Sequence, residues 1–262
     1  VVNLRHNVTN VDIRAWPGGG QAKFKNGNFF VFTQGTTITT GSVLTISSID
    51  LNGQNPGVFT VANNTKIGSI VNSVALSPHR LNIVVNDGQA LTLNGSAGSG
   101  SDGAGANVIT PIAANTYTGL GDITLGSAAA GTAQLNIDAG VVILNGTING
   151  DDDDKGIISI RNITNATFNG IIGGAAHGGL HLIEIGNGGI AQATFNEHVT
   201  ATKIDFRNAG SIASLRDTKT ITGDVDSVGG GILRFLGSGT VTGKVGNTNP
   251  LAQVSVEANG ST

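Results

Sequence analysis

The sequence predicts an all-β chain wound into a parallel β-helix, a β-solenoid with coils of roughly 20 residues. Three observations carry that expectation. Glycine supplies 41 of 262 residues while only 12% are charged, about twice and about half the usual shares. Short runs alternate apolar and polar residues and close on Gly, Asn or Asp, as a strand followed by a turn does. The same strand–turn–strand pattern then recurs at a nearly fixed offset.

The alternating runs are Val43–Ser47, Ala90–Asn94, Asp122–Leu125, Ala133–Ile137, Gly156–Ile160 and Gln253–Val256. Each is too short for a helix, and the Gly, Thr, Val, Ile and Asn around them do not propagate one. Thr220-Ile-Thr-Gly-Asp-Val225 recurs 20 residues later as Thr240-Val-Thr-Gly-Lys-Val245. Ile232–Gly239 recurs at Gln253–Gly260, and Leu182–Gly189 at Lys203–Gly210, each 21 residues on; Ala166-Thr-Phe-Asn169 recurs as Ala193-Thr-Phe-Asn196, 27 on. Stacked coils place Ile221 under Val241 and Val225 under Val245 as core pairs. Gly and Asn suit the corners through their tolerance of positive φ. The chain length then allows roughly 12 coils and a rod on the order of 60 Å. An antiparallel β-sandwich is the rival, but it calls for two-residue hairpins and less even spacing.

Two regions follow. Residues 1–60 form an aromatic-rich opening or capping region of the solenoid: Trp16, Phe24, Phe29, Phe30, Phe32 and Phe59 lie here, with Pro17-Gly-Gly-Gly20. Residues 61–262 form the repetitive solenoid, with a flexible low-complexity loop at 95–106 and an acidic loop at 150–156.

Composition excludes several classes. With 39% hydrophobic residues and a net charge of −3, a core can form and disorder is disfavoured. Collagen is excluded by the lack of a three-residue Gly period. Near-neutrality gives no general attraction to nucleic acid or anionic lipid. No 18-residue apolar run exists to span a membrane as a helix. Cys and Met are both absent, so disulfides and thiolate metal sites are excluded. A chain without Met at position 1 reads as processed or excised, and no signal peptide remains.

Candidate chemistry is sparse. Neither loop 95–106 nor Gly119-Leu-Gly121 has the Gly-Lys-Ser/Thr ending of a phosphate loop. Asp151-Asp-Asp-Asp-Lys155 is the sharpest motif. Its carboxylates repel one another and must be solvated or neutralised, with Ca²⁺ a possible partner. The run matches the recognition sequence of enteropeptidase and reads as an engineered or chance surface loop between strands Val141–Leu144 and Gly156–Ile160. His177, His181 and Glu184 invite a zinc reading, but Gly178 and Gly179 place the His pair in a loop. Gly-x-Ser-x-Gly is absent and Cys chemistry impossible. A carbohydrate-active solenoid needs an Asp/Arg/Lys cluster on one face; Asp205 with Arg207, and Asp224 stacked near Lys244, are the nearest approach, equally explained by surface ion pairing. No catalytic, cofactor-binding or metal residue is assigned, and no cofactor is expected.

Thr220–Asp226, Gly229-Gly-Gly-Ile-Leu-Arg-Phe235 and Gly239–Asn249 resemble the passenger repeats of rickettsial surface-antigen autotransporters of the outer-membrane protein A and B type. Asn162–Gly173 is similar in style. The likeness is good over about 120–262 and weak over 1–118, and the Asp151–Lys155 run is not part of it. The resemblance implies a passenger exported through the outer membrane by a C-terminal β-barrel, displayed on the cell surface, and acting in host-cell adhesion, invasion and surface-layer formation. It supplies no catalytic residues. The ~10-residue amphipathic strands of such a barrel are missing from the chain. The expectation is therefore a non-enzymatic adhesin or layer fragment that binds a host-cell surface protein or itself and inserts in no membrane. The alternative is a carbohydrate-active β-solenoid enzyme, a lyase or glycosidase.

Overall fold

The computed structural model describes residues 58–67, 81–86, 89–93, 117, 120–125, 133–138, 141–161, 165–174 and 179–257, with Ile49, Ile70 and the strand backbones at 2–4, 22–25, 29–32, 38–40, 44–46, 48–50 and 70–71. All regular structure among them is strand, arranged as a parallel β-solenoid. The six runs named from sequence each overlap an observed strand: Leu44–Ile46, Ala90–Leu93, Leu120–Leu125, Gln134–Ile137, Lys155–Ile160 and Gln253–Glu257.

Each coil turns through three faces. On the first, Phe59, Ile83, Ile123, Ile148, Ile172, Val199, Ile221 and Val241 stack in register. The second carries most of a nine-stranded sheet that starts at Leu44–Ile46; the last strand of that sheet, Thr240–Val241, pairs with the first-face end of Thr220–Ser227. The second face aligns Ile67, Leu93, Ile137, Ile160, Ile185 and Phe206. The third aligns Phe168, Phe195, Leu215, Phe235 and Val256. Strand alternation turns most of these residues inward, where they fuse into one continuous core with Phe235 and Val241 partly buried against it; Val256, on the last strand, is 72% exposed. Phe168 and Phe195 stack within it, centroids 5.3 Å apart and planes at 23°.

The pairings expected from the repeat are observed, Ile221 opposite Val241 and Val225 opposite Val245, but Val241 is only partly buried and Val245 is 43% exposed, so the second is not a core pair. The coil count differs. Among the described residues the longest sheet holds nine strands, against roughly 12 coils expected, so its span is about 38 Å at ~4.8 Å per step. Coils are spaced roughly 23 residues apart, and the step from Ile83 to Ile123 alone takes 40.

Glycine takes positive φ as expected, at Gly173, Gly186 and Gly210 among others, but no described asparagine does. Among the described residues the non-glycine positions with positive φ are Asp154 and Thr218, and no Asn is among them. Asparagine instead forms a side-chain ladder, in which Asn169 Nδ2 donates to Asn145 Oδ1 and Asn196 Nδ2 to Asn169 Oδ1. Glycine serves close approach at the neighbouring position. A Cβ at Gly146 would fall on the Gly121 carbonyl oxygen, and one at Gly170 on that of Gly146.

Within 1–60, Ala22–Lys25 pairs antiparallel with Phe29–Phe32, which continues parallel to Ser48–Asp50 and Ile70–Val71. Phe59 is buried in the core. Trp16, residues 17–20, loop 95–106 and His177 lie outside the described residues, as do the side chains of Phe24, Phe29, Phe30 and Phe32.

Candidate functional site

The largest gathering of charge lies on the second face. Ser159, Glu184, Asp205 and Asp226 occupy one in-register column, the penultimate positions of four successive strands. Alternation points them away from the apolar core, yet all four are buried, Asp205 being only 2% exposed. Isolated carboxylates do not tolerate such burial, so counter-charges and hydrogen bonds must accompany them.

The accompanying groups come from the same strands and the turns after them. Arg207 NH2 lies 2.7 Å from Glu184 Oε1 and NH1 3.1 Å from Asp205 Oδ2, bridging two coils. Asn187 Nδ2 donates to Glu184 Oε2 at 2.9 Å. Lys203 Nζ sits between Asp205 Oδ1, at 3.4 Å, and Asp226 Oδ2, at 3.7 Å. Asp226 Oδ1 accepts the backbone N–H groups of Asn249, at 2.8 Å, and Thr248, at 3.3 Å. Burial by itself would raise the Asp226 carboxyl, but the Asn249 and Thr248 hydrogen bonds and the Lys203 ammonium outweigh it and hold it below the ordinary carboxylate range.

Asp205 and Arg207, singled out from sequence, are thus brought together, and Glu184, Lys203 and Asp226 join them. The sequence carried a usable signal, since the 21-residue alignment of Leu182–Gly189 on Lys203–Gly210 sets Glu184 over Asp205. Asp224 stands in register opposite Lys203 and takes the backbone N–H of Lys244 at 2.8 Å. Acid–base work on a sugar needs carboxyls that reach a substrate. Here both Glu184 oxygens and Asp205 Oδ2 are engaged by neighbouring side chains, and the arrangement locks coil to coil.

A second cluster surrounds the acidic run. The turn covers Asp151–Asp154, between strands Ile148–Gly150 and Lys155–Ile160, so the expected 150–156 loop is shorter at both ends. Asp154 Oδ1 accepts from Thr202 Oγ1 at 2.6 Å and lies 2.9 Å from His181 Nδ1. The Thr202 hydrogen bond first, then that of His181, keeps the Asp154 carboxyl below its ordinary range. Asp153 Oδ1 accepts the Gly179 N–H at 3.2 Å, and the Asp154 N–H donates to the Gly179 carbonyl at 2.9 Å. The run is therefore tied into the fold across three coils and is not a free loop. His181 belongs to strand Leu180–Ile185 rather than to a loop. Among the described residues no group of three His, Cys, Asp or Glu is arranged to hold a metal.

Comparison with known proteins gives the affiliation. Outer membrane protein A of Rickettsia rickettsii is 33% identical over 256 residues, 94% of this chain and 10% of that protein. The chain belongs to the rickettsial surface-antigen family. Outer membrane protein A of Rickettsia conorii is 35% identical over 187 residues, 69% of the chain and 8% of that protein. Outer membrane protein B of Rickettsia rickettsii is 28% identical over 233 residues, 79% of the chain and 14% of that protein. The chain thus spans about a tenth of the length of these family members. The family likeness reaches into the N-terminal part, where the repeat resemblance was weak. No family model and no solved structure matches the chain.

Proposed function

We propose that the chain is a surface-displayed length of a rickettsial outer membrane protein, exported as an autotransporter passenger, and that it acts without catalysis in host-cell adhesion and invasion and in surface-layer formation. The observation that carries this reading is affiliation with outer membrane proteins along most of the chain, combined with a repetitive stack whose buried charges are internally paired. Such a stack offers repeated outer faces to a host-cell surface protein, and loops can vary without disturbing the ladder. The test is competition: the purified chain, added in excess, reduces attachment of bacteria bearing the full-length protein to host cells, and captures a saturable host membrane protein. Failure of both sinks adhesion and leaves a layer role.

The carbohydrate-active alternative rests on the column of Glu184, Asp205 and Asp226 with Arg207 and Lys203. It predicts release of reducing or unsaturated sugar ends by the purified chain. Glu184→Gln would abolish that release if the column were catalytic.

A further inference from the structure

The acidic run is a motif that the adhesive reading leaves unused, and its surroundings give it a distinct property. Asp151-Asp-Asp-Asp-Lys155 has the four carboxylates and the lysine that enteropeptidase recognises ahead of its scissile bond. The fold withholds that bond. A serine protease must draw its substrate into an extended backbone on both sides of the cut, and cleavage concentrates at exposed loop tips. Asp154, immediately before the lysine, has φ of 61°, and Gly156, immediately after it, has φ of 78°. Neither is an extended conformation. Gly156 is buried, and a side chain there would come within 2.5 Å of Leu125 Cβ. Residues 155–160 form a central strand, paired on one side with Gln134–Ile137 and on the other with Leu180–Ile185. Extraction of this strand breaks both ladders.

The turn that leads into the bond is held by contacts to the next two coils: Asp153 and Asp154 to Gly179, and Asp154 Oδ1 to Thr202 and His181. We propose that Lys155–Gly156 is a latent cleavage site for a trypsin-class serine endopeptidase with affinity for acidic residues ahead of lysine, closed by the fold and latched by Asp154 through Thr202 and His181. The reaction is hydrolysis, in which water adds across the Lys155–Gly156 amide and leaves a carboxylate on Lys155 and an amine on Gly156. Folded coils keep the site shut, and local opening of the turn exposes it.

Enteropeptidase is the probe, with a synthetic peptide of residues 149–163 as the open reference. Digestion of the intact chain is followed by mass spectrometry and by N-terminal sequencing for a fragment beginning Gly156-Ile-Ile-Ser. The peptide is cut at the normal rate, and the folded chain more slowly by at least about 100-fold, because cleavage tracks the open population. Thr202→Val and His181→Gln lie outside the recognition sequence, and each accelerates cutting by about tenfold, the scale of one hydrogen bond to a charged group. Circular dichroism establishes that each variant keeps its β signature. A folded chain cut as fast as the peptide overturns the closed site, and two folded variants cut no faster than the parent overturn the latch.

Discussion

Asn169 Nδ2 donates a hydrogen bond of 2.7 Å to Asn145 Oδ1 on the preceding coil, and Asn196 Nδ2 repeats the contact on Asn169 at 2.6 Å. The middle residue uses its donor and its acceptor in opposite directions, so Asn169→Ala severs the column at two points. The expected loss is about 1 kcal/mol, modest because the corner is exposed. Equilibrium urea unfolding measures it, and Asn145→Ala, which cuts one contact, should cost less.

Beside that ladder the backbone approaches itself. Gly170→Ala puts a methyl on the Gly146 carbonyl oxygen, and the coils must move apart to admit it. Destabilisation of about 1–3 kcal/mol is expected, read as a lower thermal midpoint. Gly188→Ala supplies the contrast, since its site has open space and only its φ of 100° opposes the change.

The aromatic pair in the core gives the largest single effect. Phe195 is 1% exposed and stacks on Phe168, so Phe195→Ala opens a cavity and costs about 3–5 kcal/mol. Because each coil rests mainly on its neighbours, hydrogen exchange should rise first in the strands flanking 192–195.

Arg207 bridges Glu184 and Asp205 on adjacent coils. Arg207→Ala leaves two buried carboxylates short of a partner and should destabilise by about 2–3 kcal/mol. Addition of Glu184→Gln to that variant should recover part of the loss, since one uncompensated charge is removed. A double-mutant cycle by denaturant unfolding checks the recovery, and strict additivity would refute the coupling.

Acid should weaken the stack through two identified groups. The carboxyls of Asp154 and Asp226 lie below their ordinary values in the folded chain, whereas the unfolded chain titrates them at about 3.9. Their contribution is therefore full above about pH 4 and is lost as pH falls through the folded-state values. Urea midpoints measured between pH 6 and pH 2.5 should drop on the acid side, and Asp226→Asn should flatten the profile. Asp154→Asn should flatten it less, because that side chain is 57% exposed and its interactions are screened.

Much of the architecture was legible in the repeat. Matching Thr220–Val225 to Thr240–Val245 and Leu182–Gly189 to Lys203–Gly210 fixed the register later found between those strands, because a ladder of like side chains demands equal spacing from coil to coil. The 20-residue repeat overestimates the coil number because coils can be longer than the repeat without adding a rung, as the 40 residues from Ile83 to its partner Ile123 show. Asparagine at the corners was legible as a residue type but not as a mechanism: an amide ladder depends on side chains 24 and 27 residues apart in sequence.

The sequence by itself determined the all-β class, the parallel stacking and the inward ladders, since all three reside in periodicity and residue type; the likeness to rickettsial surface antigens lay in the wording of particular repeat segments. Only the tertiary structure decided which charges meet and which bond is hidden. Glu184, Asp205, Asp226, Lys203 and Arg207 become one network, and Asp154 becomes a latch on Thr202 and His181, because winding the chain places residues 20 to 50 positions apart within hydrogen-bond distance. The acidic run, conspicuous as a string of letters, takes its physical meaning from the two coils that hold it.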